Sequence, residues 1–351
     1  MPLSLVAERP PLPPADLIRR VVPSFSTDRT AAAVEAFDVR AFDHLKGFEQ
    51  ALAVAGQEFS DFNRLLDFGC GCGRFIRHLG QISTEVEIHG TDIDAEMIEW
   101  LSRNVSYGKF VVAPHKPPLP YPDDYFDLII NHSVFSHLDE EMQDVWLAEL
   151  QRITAPGGLL LLTVEGPATW NRLSRMHERD PLLLQWRHEL ESRGILFIRD
   201  DAFIGSTHPD FYHSTIHAPW YIFEHWIRYF ALLGYLPQGS HGQDLVIAKK
   251  RAESDPVDIP ISALQVSPSV MSRPGARREL ASLVRYVARQ LRGQRDLDPA
   301  AQNRELEMLR AGLYEQSNRI SVIAAELREE LATVAHSREG GRSDTLSGSE
   351  E

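Results

Sequence analysis

The chain has 351 residues, 43% of them hydrophobic, and a formal net charge of −14. That length suits one large domain with an appendage, and the acidic balance argues against a broad nucleic-acid surface. Only two cysteines occur, Cys70 and Cys72, so no disulfide framework is implied and a reducing compartment fits. The opening residues lack a basic start followed by a long apolar core, and no run approaches the roughly 20 apolar residues of a membrane helix. A soluble, cytoplasmic protein without a membrane span is expected.

In chain order, the Pro-rich start reads as extended or disordered, and residues 28–56 as a helix with apolar side chains at helical spacing. The rhythm then changes. Short apolar strands are predicted at 64–68, 85–94, 109–113, 125–133 and 158–166, with helical patterns at 74–80, 95–105 and 140–154 between them. The last helix should bury Met142, Val145, Trp146, Leu150 and Ile153 on one face, and Pro156-Gly157-Gly158 should end it. Alternating apolar strands and helices predict an α/β fold, a doubly wound, mostly parallel sheet with helices on both faces. Pro219 reads as the first residue of a further helix running to Leu233 and stopped by Gly234, followed by a closing hairpin.

Residues 167–218 interrupt this alternation as an aromatic-rich insertion carrying His177, His188, His208, His213 and His217. An insertion after the fifth strand falls on the carboxyl edge of the sheet, where ligands bind in such folds. Residues 251–275 read as a linker. In 276–337, Leu306, Leu313, Ile320, Leu327 and Val334 repeat every seven residues beside an imperfect second seam, predicting a short coiled coil or docking helix through which the chain forms a homo-oligomer or meets a partner. Residues 338–351 read as a disordered tail.

The stretch "LLDFGCGCGRF" (65–75) carries the chemistry. Two cysteines one residue apart, with no second pair, are too few ligands for a structural zinc site, and no metal is expected. A strand ending at Asp67, then Gly69, Gly71 and Gly73, then a helix, makes a nucleotide-type turn in which the backbone can approach a ligand closely. No Lys-Ser/Thr follows the last glycine, which excludes a P-loop. The third glycine comes one residue early for a dinucleotide fingerprint. Asp92, ending the second strand, suits ribose hydroxyls in either a dinucleotide or another nucleoside ligand.

Together the motifs resemble those of class I S-adenosylmethionine-dependent methyltransferases. "LLDFGCGCGRF" is similar to their first motif, "GTDID" (90–94) to their second, "PPLPYPDDYFDLIINHSVFSHL" (117–138) to the segment leading into their fourth strand, and "WLAELQRITAPGGLLLLTVEG" (146–166) to the helix, turn and strand that follow. The similarity spans about residues 60–165, with weaker support at 219–250, where "FYHSTIHAPWYIFEHW" and "QDLVIAKK" resemble a bacterial subgroup of uncertain substrate. It implies a Rossmann-like seven-stranded sheet at 61–250, after an N-terminal segment with helices at 1–60, and S-adenosylmethionine as cofactor. It also implies roles: Asp67 for the amino group, Gly69, Gly71 and Gly73 (with Cys70 in the same loop) for the methionine and ribose parts, and Asp92 for both ribose hydroxyls. Ile93 would lie on the adenine, Ala113 and Pro114 near its edge, and Asn131 and His132 near the sulfonium. Many relatives have an acid at the Ala113–Pro114 position, which this chain lacks.

Methyl transfer to an alcohol needs a proton removed, which suits histidine. The candidates are His132, His137, and the pair His213 and His217, four apart and expected on one helical face; a metal held by that pair is the weaker reading. His137 also reads as a cap or packing group at a helix start. Tyr212 and Glu165 are candidate acceptor-binding groups. The expected acceptor is a small molecule or glycan offering a hydroxyl oxygen, with no nucleic-acid partner. Two other classes compete: an NAD-dependent oxidoreductase, disfavoured by the glycine spacing, and a non-catalytic scaffold of the same fold.

Overall fold

The computed structural model describes residues 10–21, 30–80, 86–199, 212–240 and 242–251. Two units divide the chain, Met1–Gln265 and Val266–Glu351. Residues 252–265 of the first unit and all of the second lie outside the described residues, and with them nearly all of the expected linker, the heptad segment and the tail.

Seven strands form one sheet in the order β3-β2-β1-β4-β5-β9-β8. They are β1 (Arg64–Phe68), β2 (Glu87–Asp92), β3 (Gly108–Val112), β4 (Phe126–Asn131), β5 (Thr154–Val164), β8 (Ala231–Ser240) and β9 (Gln243–Lys249). The first five pair in parallel, and β9 runs antiparallel to both β5 and β8. Leu65, Leu66, Leu128, Ile129, Ile130 and Leu160–Leu162 are fully or almost fully buried, because helices cover both faces and leave no wet side to favour alternation. Strand order reverses between β1 and β4, and the crevice at their carboxyl ends is where such a sheet binds ligands.

Helices flank this sheet. In α2 (Thr30–Val54), Phe37, Ala41, Leu45, Phe48 and Leu52 recur at three- and four-residue steps and are buried. Helix α3 (Ile76–Leu79) follows the glycine loop. Helix α4 (Ala95–Asn104) is capped by Asp94, whose carboxylate accepts from the Glu96 and Met97 N–H groups. Helix α5 (Glu140–Ile153) is capped by Asp139, satisfying donors that a helix start leaves unpaired.

Several expectations need correction. The Pro-rich start contains a helix, α1 (Ala15–Val21), because Leu17, Ile18 and Val21 form an apolar face that packs on Phe37, Cys72 and Met97. Val145 is exposed, so the buried face of α5 uses Leu147 instead. The Pro156–Gly158 turn does not follow α5 as a loop: Thr154 already pairs with Phe126, and the run is the irregular entry of β5. Helix α8 (Pro219–His225) begins at Pro219 as expected but stops early, and a 3-10 turn at Trp226–Arg228 leads into β8. Gly234 is therefore a strand residue, where a Cβ would meet Ile247 at 2.8 Å.

The insertion supplies α6 (Pro167–Met176), α7 (Leu183–Arg193) and a hairpin of β6 (Ile195–Ile198) with β7 (Ser214–His217). The pair His213 and His217 thus borders and ends a strand, not a helix. The hairpin docks at the carboxyl edge of the sheet: the His213, Thr215 and His217 N–H groups donate to the His137, Ser136 and Glu165 carbonyls at 2.7–2.8 Å. No helix among the described residues is long and apolar enough to cross a membrane.

Candidate active site

A cavity of about 510 Å³ opens at the strand-order reversal, within the usual size of small-molecule sites, about 300–1,000 Å³. Its floor is the loop after β1. Gly69 (φ +81°) and Gly71 (φ +54°) hold the left-handed backbone that glycine adopts without steric penalty. The Gly69 and Cys70 N–H groups tie the loop to the Thr91 carbonyl at 2.8 and 3.0 Å. Gly73 lies away from the cavity wall, and a Cβ there would strike Leu101 of α4 at 2.4 Å, so its place is a helix–loop contact.

Asp92 stands half-buried in the wall. One oxygen accepts from the Gly71 N–H at 2.7 Å, the other from the Asp94 N–H at 2.9 Å. Burial pushes this carboxyl up, while those two N–H bonds pull it down. A carboxylate has about four acceptor positions, more than the neighbouring backbone N–H groups fill.

Asp67 is fully buried and neither oxygen has a hydrogen-bond partner. Burial pushes its carboxyl up to about 8, against the pull of Arg74 and with the push of Asp92. A folded-state value raised above the ordinary one means that the folded protein holds this proton more tightly. The stability contributed is present below about pH 4 and lost as pH rises toward 8, at most about 1.4 kcal/mol per pH unit. Chemical denaturation at pH 5, 6 and 7 should therefore show wild type losing stability relative to Asp67→Asn; a difference independent of pH would sink this assignment.

Across the crevice, Asn131 ends β4 and donates to the Phe68 carbonyl at 2.8 Å, while its buried Oδ1 has no hydrogen-bond partner. His132 Nδ1 lies 3.1 Å from Arg74 Nη2; a guanidinium only donates, so Nδ1 accepts. Ser133 follows with φ +63°, a left-handed conformation uncommon for a residue with a Cβ. His137 Nδ1 is 2.7 Å from the His213 carbonyl. A carbonyl only accepts, so Nδ1 carries the hydrogen, and the neutral ring keeps its lone pair on Nε2, 3.3 Å from Ser133 Oγ. The Tyr212 ring stacks on His137 at 4.5 Å. His137 is not the helix cap, since Asp139 fills that place.

The cavity brings together Gly69, Cys70, Gly71, Asp92, Ile93, Ala113, His132, His137, Glu165 and Tyr212 from among the expected residues. Asp67 and Asn131 lie beneath it, and Pro114 is exposed outside its wall. His213 and His217 do not line it. The His213 ring packs against Phe197, whereas His217 meets Gln143 at 3.0 Å and is pushed down to about 3 by burial. Sequence reasoning missed Arg20 and Val21 of α1, Arg74, Ser133 and the network behind it. Arg20 bonds Asp94 at 2.9 Å and Glu96 at 2.6 Å, drawing α1 over the loop. The apolar spacing of Leu17, Ile18 and Val21 was the available signal for α1; nothing local marks Ser133. Among the described residues, no group of three His, Cys, Asp or Glu side chains comes together to hold a metal ion.

Residues 66–162 match the family described as a methyltransferase domain. This segment is a class I S-adenosylmethionine-dependent methyltransferase domain. Curated relatives that it resembles include a malonyl-[acyl-carrier protein] O-methyltransferase of Halorhodospira halophila, 31% identical over 31% of this chain and 37% of that protein. A fatty-acid O-methyltransferase of Mycolicibacterium smegmatis is 32% identical over 33% and 42%. A probable tRNA methyltransferase 9B of Mus musculus is 30% identical over 36% and 26%. The matched region thus spans less than half the length of each of these relatives.

The cofactor of this domain is S-adenosylmethionine, and the methyltransferase site fits it on three counts. The buried Asp67 carboxyl has no hydrogen-bond partner, and an ammonium group brought beside it would favour its ionised form. Asp92 retains acceptor positions at the strand end where a ribose diol binds. Gly69 and Val134 both line the cavity, and a Cβ at Gly69 would meet Val134 at 2.3 Å, so a side chain there would fill part of the cradle.

Proposed function

We propose that this protein transfers a methyl group from S-adenosylmethionine to an oxygen of a small-molecule or glycan acceptor, with His137 as general base. The observation that carries the proposal is the hydrogen bond from His137 Nδ1 to the His213 carbonyl, which leaves Nε2 as the proton-accepting nitrogen of a residue in the cavity wall. Two of the three relatives described above are O-methyltransferases by name, which supports an oxygen acceptor.

In this reading Asp67 meets the cofactor's amino group, Gly69, Cys70 and Gly71 follow its methionine and ribose parts, and Asp92 takes the ribose hydroxyls. Ile93 and Ala113 border the adenine, and His132 closes the far wall with Asn131 beneath it. The bound cofactor supplies an electrophilic methyl group on a sulfonium. The protein's own work is to hold the acceptor in line and remove its proton. His137 Nε2 takes the hydroxyl proton, and the resulting imidazolium stays anchored by its Nδ1–H. The β6–β7 hairpin, bonded to the residues after β4 and β5, restricts water at the same mouth.

Incubation with methyl-labelled S-adenosylmethionine and a panel of a phenol, a hexose, a fatty acid and cell-extract metabolites tests the proposal. Label should enter one of these at an oxygen. Cofactor binding without incorporation in any arm would favour a scaffold, and binding of NAD instead would favour the oxidoreductase. Asp92→Ala should weaken cofactor binding by about 1.5–3 kcal/mol, as expected for hydrogen bonds to a charged group. Calorimetric titration checks this, with Asp92→Asn as the milder variant because Asp92 also ties the loop to α4; unchanged affinity in both folded variants would remove the ribose role.

A further inference from the structure

Gln243, the first residue of β9, lies 110 positions from Ser133 yet touches it. Its amide can be oriented from its neighbours. Thr163 Oγ1 accepts the Ser133 N–H at 2.8 Å, so its own hydrogen is available to Gln243 Oε1 at 2.7 Å. The other end of the amide lies 3.1 Å from Glu165 Oε1 and 3.0 Å from Ser133 Oγ. A carboxylate only accepts, so that end is the nitrogen, and its two hydrogens go to Glu165 and Ser133. Ser133 Oγ therefore receives one hydrogen and has one to give. Two acceptors are in reach: His137 Nε2 at 3.3 Å and Ser136 Oγ at 3.2 Å. With Nδ1 carrying a hydrogen, the neutral form of His137 has its lone pair on Nε2.

We propose that Ser133 and Gln243 are positioning residues for His137: Gln243 fixes the Ser133 hydroxyl so that it donates to Nε2 and holds the ring neutral until an acceptor arrives. The proposal rests on the reading of His137 as the base. Ser133 is held at φ +63° by its N–H bond to Thr163 and its hydroxyl bond to Gln243. Backbone held in a sparsely populated region persists where surrounding structure enforces it, and such positions cluster at functional sites. The arrangement also separates charges. Gln243 stands between the Glu165 carboxylate and the Ser133–His137 pair, the Tyr212 phenol stacks on one face of the ring, and the His213 carbonyl takes Nδ1–H. Glu165 is itself further occupied by Thr169 Oγ1. When an acceptor hydroxyl reaches Nε2, the Ser133 hydrogen can turn to Ser136, which frees the base without breaking the Gln243 contact.

The test uses full-length protein labelled with nitrogen-15 at histidine and follows His137 by NMR across pH, with no acceptor needed. A donor to the neutral ring favours the neutral form. Losing one such bond should raise the His137 titration midpoint by about half to one pH unit. Ser133→Gly removes the hydroxyl while accepting the backbone conformation, and leaves Gln243 in place. Gln243→Met keeps the side-chain length and removes both donors. Both variants should shift the midpoint upward while retaining affinity for S-adenosylmethionine. A purely structural network would lower thermal stability and leave the midpoint where it is in wild type. An unchanged midpoint in Ser133→Gly overturns the proposal, and a shift there with none in Gln243→Met removes Gln243 from it. The base reading fails separately, by wild-type turnover of His137→Ala on the acceptor found in the labelling panel.

Discussion

His137→Ala should lower turnover by about 10²–10⁴-fold, the usual contribution of a positioned general base, while affinity for S-adenosylmethionine changes little. The separation follows from geometry. The predicted polar contacts to the ribose come from the end of β2 beside the β1 loop, whereas His137 lies six residues beyond β4 and is anchored by the His213 carbonyl. His137→Gln is the informative companion, because it can keep the hydrogen bond to the His213 carbonyl but cannot take a proton near neutral pH. Rapid-quench measurement of methyl transfer, with cofactor affinity measured by calorimetry, distinguishes the outcomes. Slow transfer in both variants identifies the base. Slow transfer in Ala alone makes the residue a strut for the β6–β7 hairpin. Wild-type rates in both leave catalysis to positioning, which would require an acceptor that is already ionised.

Gly71→Val should weaken cofactor binding by more than about 10²-fold, from two additive causes. At φ +54° the left-handed conformation costs a side chain about 1–2 kcal/mol, and a β-branched residue more. A Cβ there would also lie 2.9 Å from Val21 Cγ2 and 3.8 Å from Met97 Sδ, so the loop and α1 must part. That movement would break the 2.7 Å bond from the Gly71 N–H to Asp92 and turn the carboxylate from the orientation proposed for ribose. Gly71→Ala, with a smaller backbone penalty and less bulk, should fall between wild type and Val. Calorimetric titration, with the melting temperature measured in parallel, checks the series. Near-wild-type affinity in a folded Val variant would mean that the loop is not the cradle.

Much of this site was legible in the chain itself. Asp67, the glycine loop and Asp92 depend on residues close in sequence: a strand, a turn that only glycine makes freely, and a second strand end. Periodicity likewise located the five parallel strands and the helices between them, because burial on both faces, as in β1, β4 and β5, leaves apolar runs that local reading detects. Gly73 carried both a binding and a packing reading, and its contact with Leu101 favours packing.

What the sequence by itself determined is the parallel α/β core and the glycine loop and strand end that form one side of the cavity. What only the tertiary structure decided is which histidine faces that cavity and what holds it. His213 and His217 were set on a helical face by their four-residue spacing, but the pairing of β6 with β7 placed them at a strand, one against Phe197 and the other against Gln143. Ser133 and Gln243, 110 residues apart, meet because β9 pairs antiparallel to β5 and brings its first residue beside the end of β4. Local patterns encode local conformation and burial. A hydrogen-bond chain through Gln243, Ser133, His137 and the His213 carbonyl depends on three long-range pairings at once, and no short window of sequence contains them.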